Sequence, residues 1–561
     1  MRNLVPKFLR ALEVLAWVAF FVLATGFLAS RYWLLPKVEQ QRDAIVAQIS
    51  RLVGLPVRIG ALSANWQGLR LRLSVSDVRV YDREGREALV LPTVENVLAW
   101  RSLLAGDLRL HSSVIDGPKL AVRRAENGDL YVAGIRVAGD KSESKFADWI
   151  LSQDRIEIRG AEIEWQDEMR RAPLLRLTAL NFRLENDGDE HRIGISARPP
   201  RELGPGVELR ARLEGRSLRQ AAGWSGRVFA ELGYTDLAGW RPWVDYPLDV
   251  RRGEGALRVW ATLGAGRITQ ATADVALSGV RTRLGRGLPM LDLSSVRGRV
   301  YGRETVQGYD FGVRSLSLQR PSAPPMNGTS FHASWQPASA TASAHGTFNA
   351  NLVELGPLAH LAEYLPFPAD LRALLAELAP QGNLLDARFE WRGELPERAT
   401  YVARTRFAGL SLRAWRSIPG FANLSGVLDA NETKGSLLLA SRKSEVDLPK
   451  VFAEPRIAFD SLAGEVSWQR PADGGVAVRI ANLSYANADL EGTATGTYAW
   501  RGEGPGVIDL SAQLSRADGK ATVRYLPLSS VMGAQVREWV AGAVLAGQAS
   551  EARLRLKGDL R

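Results

Sequence analysis

Residues 69–81 read LRLRLSVSDVRVY, with an apolar side chain at every second position at the start. A strand turns successive side chains to opposite faces, so Leu69, Leu71, Leu73 and Val75 share one face while Arg70, Arg72, Ser74 and Ser76 share the other. The apolar phase then slips to Val78 and Val80, which predicts a bulge or sharp bend near Asp77. Such a segment is a strand that is oily on one side and charged on the other.

The same period recurs along the chain, in 108–115, 120–124, 156–158, 163–166, 174–184, 192–197 and 207–213, and again in 256–263, 268–277, 387–392, 436–440, 476–483 and 553–557. The pairs Asp116-Gly117, Asn127-Gly128 and Asp187-Gly188 carry hairpin chemistry and predict a meander of antiparallel neighbours. Loops rich in Pro and Gly at 199–206, 321–328 and 502–506 interrupt it without a long linker, and no clean domain boundary is visible. Helical patterns are few, near 357–379 and 533–546. A Tyr-Leu-Pro step accompanies each, at Tyr364 and Tyr525, and leads through apolar residues to Gly382 and Gly547 and into the strands ARFEWRGEL and ARLRLKGDL. That similarity is an internal repeat, with a weaker third copy from Trp240 and Trp243 to ALRVWATL. The expected fold class is therefore mainly β: an elongated, twisted antiparallel sheet forming a repeating, taco-like groove over residues 57–561. Roughly 25 to 30 strands at about 4.8 Å each would extend on the order of 120 to 140 Å.

Ahead of the sheet stands LEVLAWVAFFVLATGFLA, residues 12–29, with Glu13 its only charge. A helix of about 18 to 20 such residues crosses a hydrocarbon core of roughly 30 Å. Leu12, Leu15, Trp17, Phe20, Phe21, Leu23, Phe27 and Leu28 are the anchor residues expected to face lipid. Arg2, Lys7 and Arg10 favour a cytoplasmic N-terminus, against the weaker opposing charge of Arg31, Lys37 and Arg42. Cleavage after Ala24-x-Gly26 is the alternative, but Phe27 and Leu28 continue the apolar run past it and favour a retained anchor. The expected order is a tail over 1–10, a transmembrane helix over 11–30, an amphipathic stalk helix over 36–53 and then the groove. Pro36 opens the stalk, and Gly54 and Pro56 close it.

Composition narrows the function. Hydrophobic residues make up 46% of the chain, enough for an ordered core. Lys and Arg number 72 against 61 Asp and Glu, a net charge of +11. The arginines lie singly along strands, as at Arg70, Arg72, Arg79 and Arg109, which argues for a solvent face and against a nucleic-acid patch. Attraction to anionic lipid headgroups is compatible with the same charge. The chain has no cysteine, so neither disulfides nor thiolate metal sites hold it. The histidines His111, His191, His332, His345 and His360 are scattered, and no nucleophile elbow, phosphate loop or dinucleotide fingerprint is present. The best acid pair is Glu162 and Glu164, with Asp167 nearby; two carboxylates on one polar strand face do not flank a cleft as a glycosidase requires. No catalytic residue, metal site or cofactor is expected.

A sheet with one oily face covers it with a second sheet, with helices or with a ligand. Helices are too few here, and a string of sandwiches would show unit boundaries at intervals of roughly 100 residues. An open groove instead offers its apolar face to acyl chains, gaining about 0.8 kcal/mol per buried CH₂. Leu69, Leu71, Leu73, Val75, Val78 and Val80 are the candidate groove residues, although the pleat alone does not say which face is concave.

Two stretches carry a resemblance. LVGLPVRIGALSANWQGLRLRLSVSDVRVYDREG, followed by GDLRLHSSVIDGPKLAVRRAENGDL, resembles the N-terminal region of AsmA-like proteins. IPGFANLSGVLDANETKGSLLLASR, FDSLAGEVSWQ and WVAGAVLAGQASEARLRLKGDL resemble the YhdP branch of that group. The match is diffuse, resting on Gly, Trp and turn positions. It implies a single inner-membrane helix, a long periplasmic β-groove and a part in moving phospholipid towards the outer membrane of Gram-negative bacteria. It also implies a longer protein, with the part that would reach the outer membrane lying beyond Arg561. The implied partners are phospholipid, the inner membrane and outer-membrane or other envelope proteins, with no nucleic acid. The alternatives are an envelope assembly factor that binds proteins by strand edges and, less favoured, an anchored hydrolase using Glu162 or Glu164.

Overall fold

The alternation that starts at residue 57 becomes a single sheet. In the computed structural model 62% of the chain is strand and 15% helix, and the 28 strands among the described residues belong to one mixed sheet. The structure describes residues 5–29, 31–32, 35, 39–53, 56–68, 70–81, 87–99, 102, 109–132, 135–136, 148–217, 222–246, 248–393, 400–415, 419–471, 474–501, 504, 506–528 and 533–559. The chain divides into two units, Met1–Tyr246 with Glu254–Ala271 and Pro247–Gly253 with Thr272–Arg561. The division falls inside the strands Asp249–Gly264 and Arg267–Arg283, so no linker marks it in the sequence.

The first unit begins with helix α1 (Val5–Ala29), of which Leu12–Ala29 is long and apolar enough to cross a membrane. Helix α2 (Arg42–Val53) follows, and the chain then enters the edge strand Val57–Gln67. An edge strand exposes unpaired backbone groups. Here they are met from the stalk: Arg42 Nη1 donates to the Gly60 carbonyl at 2.9 Å, and the Leu62 amide donates to Glu39 Oε2 at 2.7 Å.

Antiparallel pairing runs from Val57–Gln67 through Arg70–Tyr81 and Glu87–Leu98 to Leu110–Asp116. The expected meander then fails at one point. Asp116-Gly117 is not a hairpin turn: Leu110–Asp116 and Lys119–Arg124 continue in one direction, and both pair in parallel with Arg155–Asp167. Gly117 takes a left-handed φ of 61°, which steps the chain sideways instead of reversing it. Asn127-Gly128 and Asp187-Gly188 do close hairpins. Beyond Arg155–Asp167 the first unit is an antiparallel meander through Leu175–Asp187, Glu190–Arg198, Val207–Glu214 and Ser225–Asp236. The second unit continues antiparallel from Leu291–Glu304 to Val507–Asp518 and ends on Ala552–Asp559.

One device recurs in both units. Asp77, where the phase slip predicts a bend, has φ 52°, and it lies between Val75 and Val78. Ala179 (φ 49°) stands likewise between Leu177 and Leu180, Asp386 (49°) between Leu384 and Ala387, Gly409 (64°) between Phe407 and Leu410, and Asn482 (48°) between Ile480 and Leu483. A left-handed residue at i+2 rotates the strand so that apolar residues at i and i+3 reach the same face. In the second unit these steps are adjacent. Asn423 (φ 55°) donates from Nδ2 to the carbonyls of Arg442 at 3.1 Å and Lys443 at 3.0 Å, and Lys443 is itself left-handed (50°). Backbone amides that lose their ladder partner here find serines: Gly409 bonds Ser425 Oγ, Asn423 bonds Ser411 Oγ and Ser425 bonds Ser441 Oγ. A crease, with three of its backbone amides bonded to serine hydroxyls, therefore crosses the neighbouring strands from Gln381–Arg392 to Lys434–Asp447.

Asn423 performs two tasks, tolerating left-handed backbone and bonding two carbonyls. Asn423→Ala is expected to destabilise by about 2 kcal/mol, and Asn423→Gly by roughly half of that because glycine keeps the backbone conformation at no cost. Chemical denaturation of the three proteins checks this ranking.

Helices α3 (Leu355–Leu361), α4 (Ala369–Leu378) and α5 (Ala534–Ala543) interrupt the second unit. The Tyr-Leu-Pro steps lie beside them. Leu361 and its neighbours Tyr364 and Leu365 pack on Val280, Leu291, Leu293 and Met326, and Leu526 is buried at the corresponding place in the later copy. The two tyrosines have different partners: Arg320 donates to Tyr364 Oη at 2.8 Å, whereas Tyr525 donates to Asp489 at 2.9 Å and accepts from Asn487 at 3.0 Å.

Candidate functional site

Directly paired residues in a ladder share a face, so register traces each face from strand to strand. In the first unit one row runs Leu62, Val75, Val94, Ile115, Ile158, Phe182, Ile195, Leu209, Ala230 and Val259. Every member is apolar. One residue along, on the other face, Glu157, Arg183, Gly194 and Arg210 stand in register.

The second unit repeats the arrangement. Leu428, Leu437, Val466, Ile480, Gly496, Leu510 and Leu556 form an apolar row over seven strands. On the reverse face the neighbouring row is Asp429, Ser436, Ser467, Arg479, Thr497, Asp509 and Lys557. Leu428 to Leu510 are half-buried, and Leu556 on the last strand is 53% exposed. The strands form one sheet, so among the described residues no second sheet lies on this face.

On the apolar face aromatics are paired with glycine. Trp391 stands opposite Gly346 and Trp468 opposite Gly435. A Cβ at Gly346 would lie 2.0 Å from Trp391 Cζ2, and one at Gly435 would lie 2.2 Å from Trp468 Cζ2. Each indole thus lies across the neighbouring strand in space that only glycine leaves open. With Tyr309, Trp335 and Tyr401, Trp391 makes an aromatic border along one side of the face, where the Tyr309 and Trp335 rings stack at 6.3 Å and 12°.

The polar face is ordered by cross-strand ion pairs such as Arg404 with Asp429 (3.0 Å) and Arg258 with Glu231 (2.8 Å). A hydrogen bond from Arg555 holds the Asp509 carboxyl below the usual carboxylate range, and one from Arg159 does the same for Glu157. Exposed pairs of this kind add little to stability and serve mainly to keep the face wetted. Glu162 and Glu164 belong to the same pattern, paired with Lys119 at 3.4 Å and Arg176 at 3.0 Å. Asp167 is buried and lies 3.6 Å from Arg124. His191 is buried too, with its ring nitrogens on Asn186 Oδ1 and the Gly215 carbonyl. Among the described residues no group of three acidic, histidine or cysteine side chains is placed to hold a metal.

Of the groove candidates, Leu71, Leu73, Val75, Val78 and Val80 stand opposite Trp66, Ala64, Leu62, Ile59 and Val57, all on one face across the Asp77 step. Leu69 lies outside the described residues. Leu12, Leu15, Trp17, Phe20, Phe21 and Leu28 of α1 are each more than half exposed, and the Leu23 side chain lies outside the described residues. Phe27, near the end of α1, packs on Trp66 with ring centroids 4.9 Å apart. Since Trp66 is paired with Leu71, the end of α1 touches the start of the apolar face. The rows themselves are what reading single strands misses, because only register joins them.

Neither a curated protein nor a solved structure matches the chain. The family model described as YhdP protein matches residues 1–561, which include α1, the sheet and both apolar rows; the chain belongs to the YhdP family.

Proposed function

We propose that the protein is anchored in the bacterial inner membrane by α1, with its N-terminus in the cytoplasm and its sheet in the periplasm, and that phospholipid acyl chains slide along the apolar face towards the outer membrane. This transport would sustain outer-membrane lipid balance and barrier function without a chemical step. The observation that carries the reading is the apolar row that runs over ten strands of the first unit and seven of the second, with charged and other polar residues on the reverse face. A lipid tail moving from one strand to the next exchanges one aliphatic contact for another, so successive positions differ little in free energy. Membership in a family associated with envelope lipid transport supports the reading, as does an N-terminal helix fit for membrane anchoring.

Photo-crosslinking in cells tests it. A crosslinker at Leu71 or Ile480 is expected to trap phospholipid, and one at Arg72 or Arg479 is not. Equal trapping on both faces, or none on either, would refute the groove at that site.

A second reading is an envelope assembly factor that binds proteins by strand addition. Stoichiometric co-purification of an envelope protein without lipid would support that role.

A further inference from the structure

Two strands of the second unit place four arginines around one open pocket of about 430 Å³: Arg251 and Arg252, Arg281 and Arg283, with Met290 completing the lining. The convergence follows from two local irregularities. Between the buried Val250 and the buried Gly253, Arg251 and Arg252 both stand exposed, where simple alternation would turn one of them inward. On the next strand Gly279 takes a left-handed φ of 56°, and its carbonyl accepts from Arg252 Nε at 3.0 Å. The Arg252 guanidinium is thereby held beside those of Arg281 and Arg283.

Counter-charge is incomplete. Asp249 pairs with Arg251 at 2.9 Å, and Asp292 lies 3.7 Å from Arg281. Arg283 has no carboxylate partner among the described residues, and its Nε, shielded from solvent, has no hydrogen-bond partner there. Four guanidinium groups thus face two carboxylates. A single arginine fork satisfies a carboxylate, whereas several forks converging from different directions match a tetrahedral oxyanion with three or four acceptor oxygens. The two uncompensated charges match a phosphate monoester, which carries about −1.5 to −2 at neutral pH.

We propose that this pocket binds a terminal phosphate, supplied either by a phosphomonoester lipid headgroup or by inorganic phosphate. The inference rests on the arginine geometry and is independent of the apolar face.

The test uses the full chain in detergent, with ³¹P line broadening and calorimetric titration of three probes: inorganic phosphate, dioctanoyl phosphatidic acid and dioctanoyl phosphatidylcholine. Phosphatidic acid is expected to bind, and Arg281→Gln and Arg283→Gln each to weaken binding at least tenfold, an estimate from the loss of charged hydrogen bonds of about 1.5–3 kcal/mol. Arg283→Lys, which keeps the charge and loses the fork, should fall between. Arg404→Gln, on the polar face elsewhere, should bind as the parent does, and phosphatidylcholine should be insensitive to all four changes. Competition by inorganic phosphate identifies the bare phosphate as sufficient; binding of phosphatidic acid without such competition identifies the headgroup as the source. Binding of neither phosphate probe overturns the proposal, as does equal loss in Arg404→Gln. Phosphatidic acid binding that ignores Arg281 and Arg283 also overturns it, while leaving the apolar face intact as a lipid site.

Discussion

If the apolar face carries lipid as proposed, aspartates introduced together at Val466 and Ile480 will stop that carriage while leaving the sheet assembled. The two positions are directly paired in the middle of the apolar row, between Leu437 and Gly496. Both are half-buried, so the carboxylates keep part of their hydration in the empty protein, and the folding cost stays near 1–3 kcal/mol each. An acyl chain that reaches them must strip that hydration, at a penalty of several kcal/mol per ion. A barrier of 4 kcal/mol already slows passage about a thousandfold. The change should therefore behave as a null in a complementation assay of outer-membrane permeability, with normal protein level. The paired control is Ser467→Asp with Arg479→Asp, one residue away and on the polar face. It should complement fully, and failure of both pairs alike would show that the effect is on folding.

The second large effect is steric. Gly346→Val places methyl groups where the Trp391 indole lies, with even the Cβ only 2.0 Å from Cζ2. The indole cannot shift within the sheet plane, since Phe389 on the same strand already stacks with it at 5.5 Å. It must stand up from the face, losing its contact with the neighbouring strand. Overpacking of this kind costs about 1–3 kcal/mol. Trp391→Ala alone also destabilises, through lost packing. Joined in one chain the two changes should be less harmful than their sum, because valine fills the space the indole vacates. Thermal denaturation of the two single variants and the double variant provides the cycle. Strict additivity would show that Gly346 and Trp391 do not share that space.

Much of this architecture is legible in the amino-acid sequence because pleat and polarity coincide. Residues 69–81 disclose alternation, the slip at Asp77 and the amphipathic face, and the same logic extends to most later strands. The left-handed steps are only partly legible. Asp386, Gly409, Asn423 and Asn482 are residue types that tolerate such backbone, and each lies between apolar residues three apart. Ala179 and Ser315 share that spacing and adopt the same backbone, as does Lys443, but their residue types do not announce it. Asp116-Gly117 shows the opposite problem. Its composition suits a hairpin, yet parallel partners on Arg155–Asp167 draw the chain onward, so tertiary pairing overrides turn chemistry. The pairing of Trp391 with Gly346 and the arginines around Met290 depend on register between strands, which no single segment contains.

The most direct test of the central claim is native mass spectrometry of the intact chain released from a mild detergent. Phospholipid bound in excess of the annular shell, and lost in the Val466→Asp, Ile480→Asp protein but retained in the Ser467→Asp, Arg479→Asp protein, is the result expected of an apolar face that carries lipid. A chain that leaves detergent free of phospholipid, or that holds the same amount in all three forms, would contradict it.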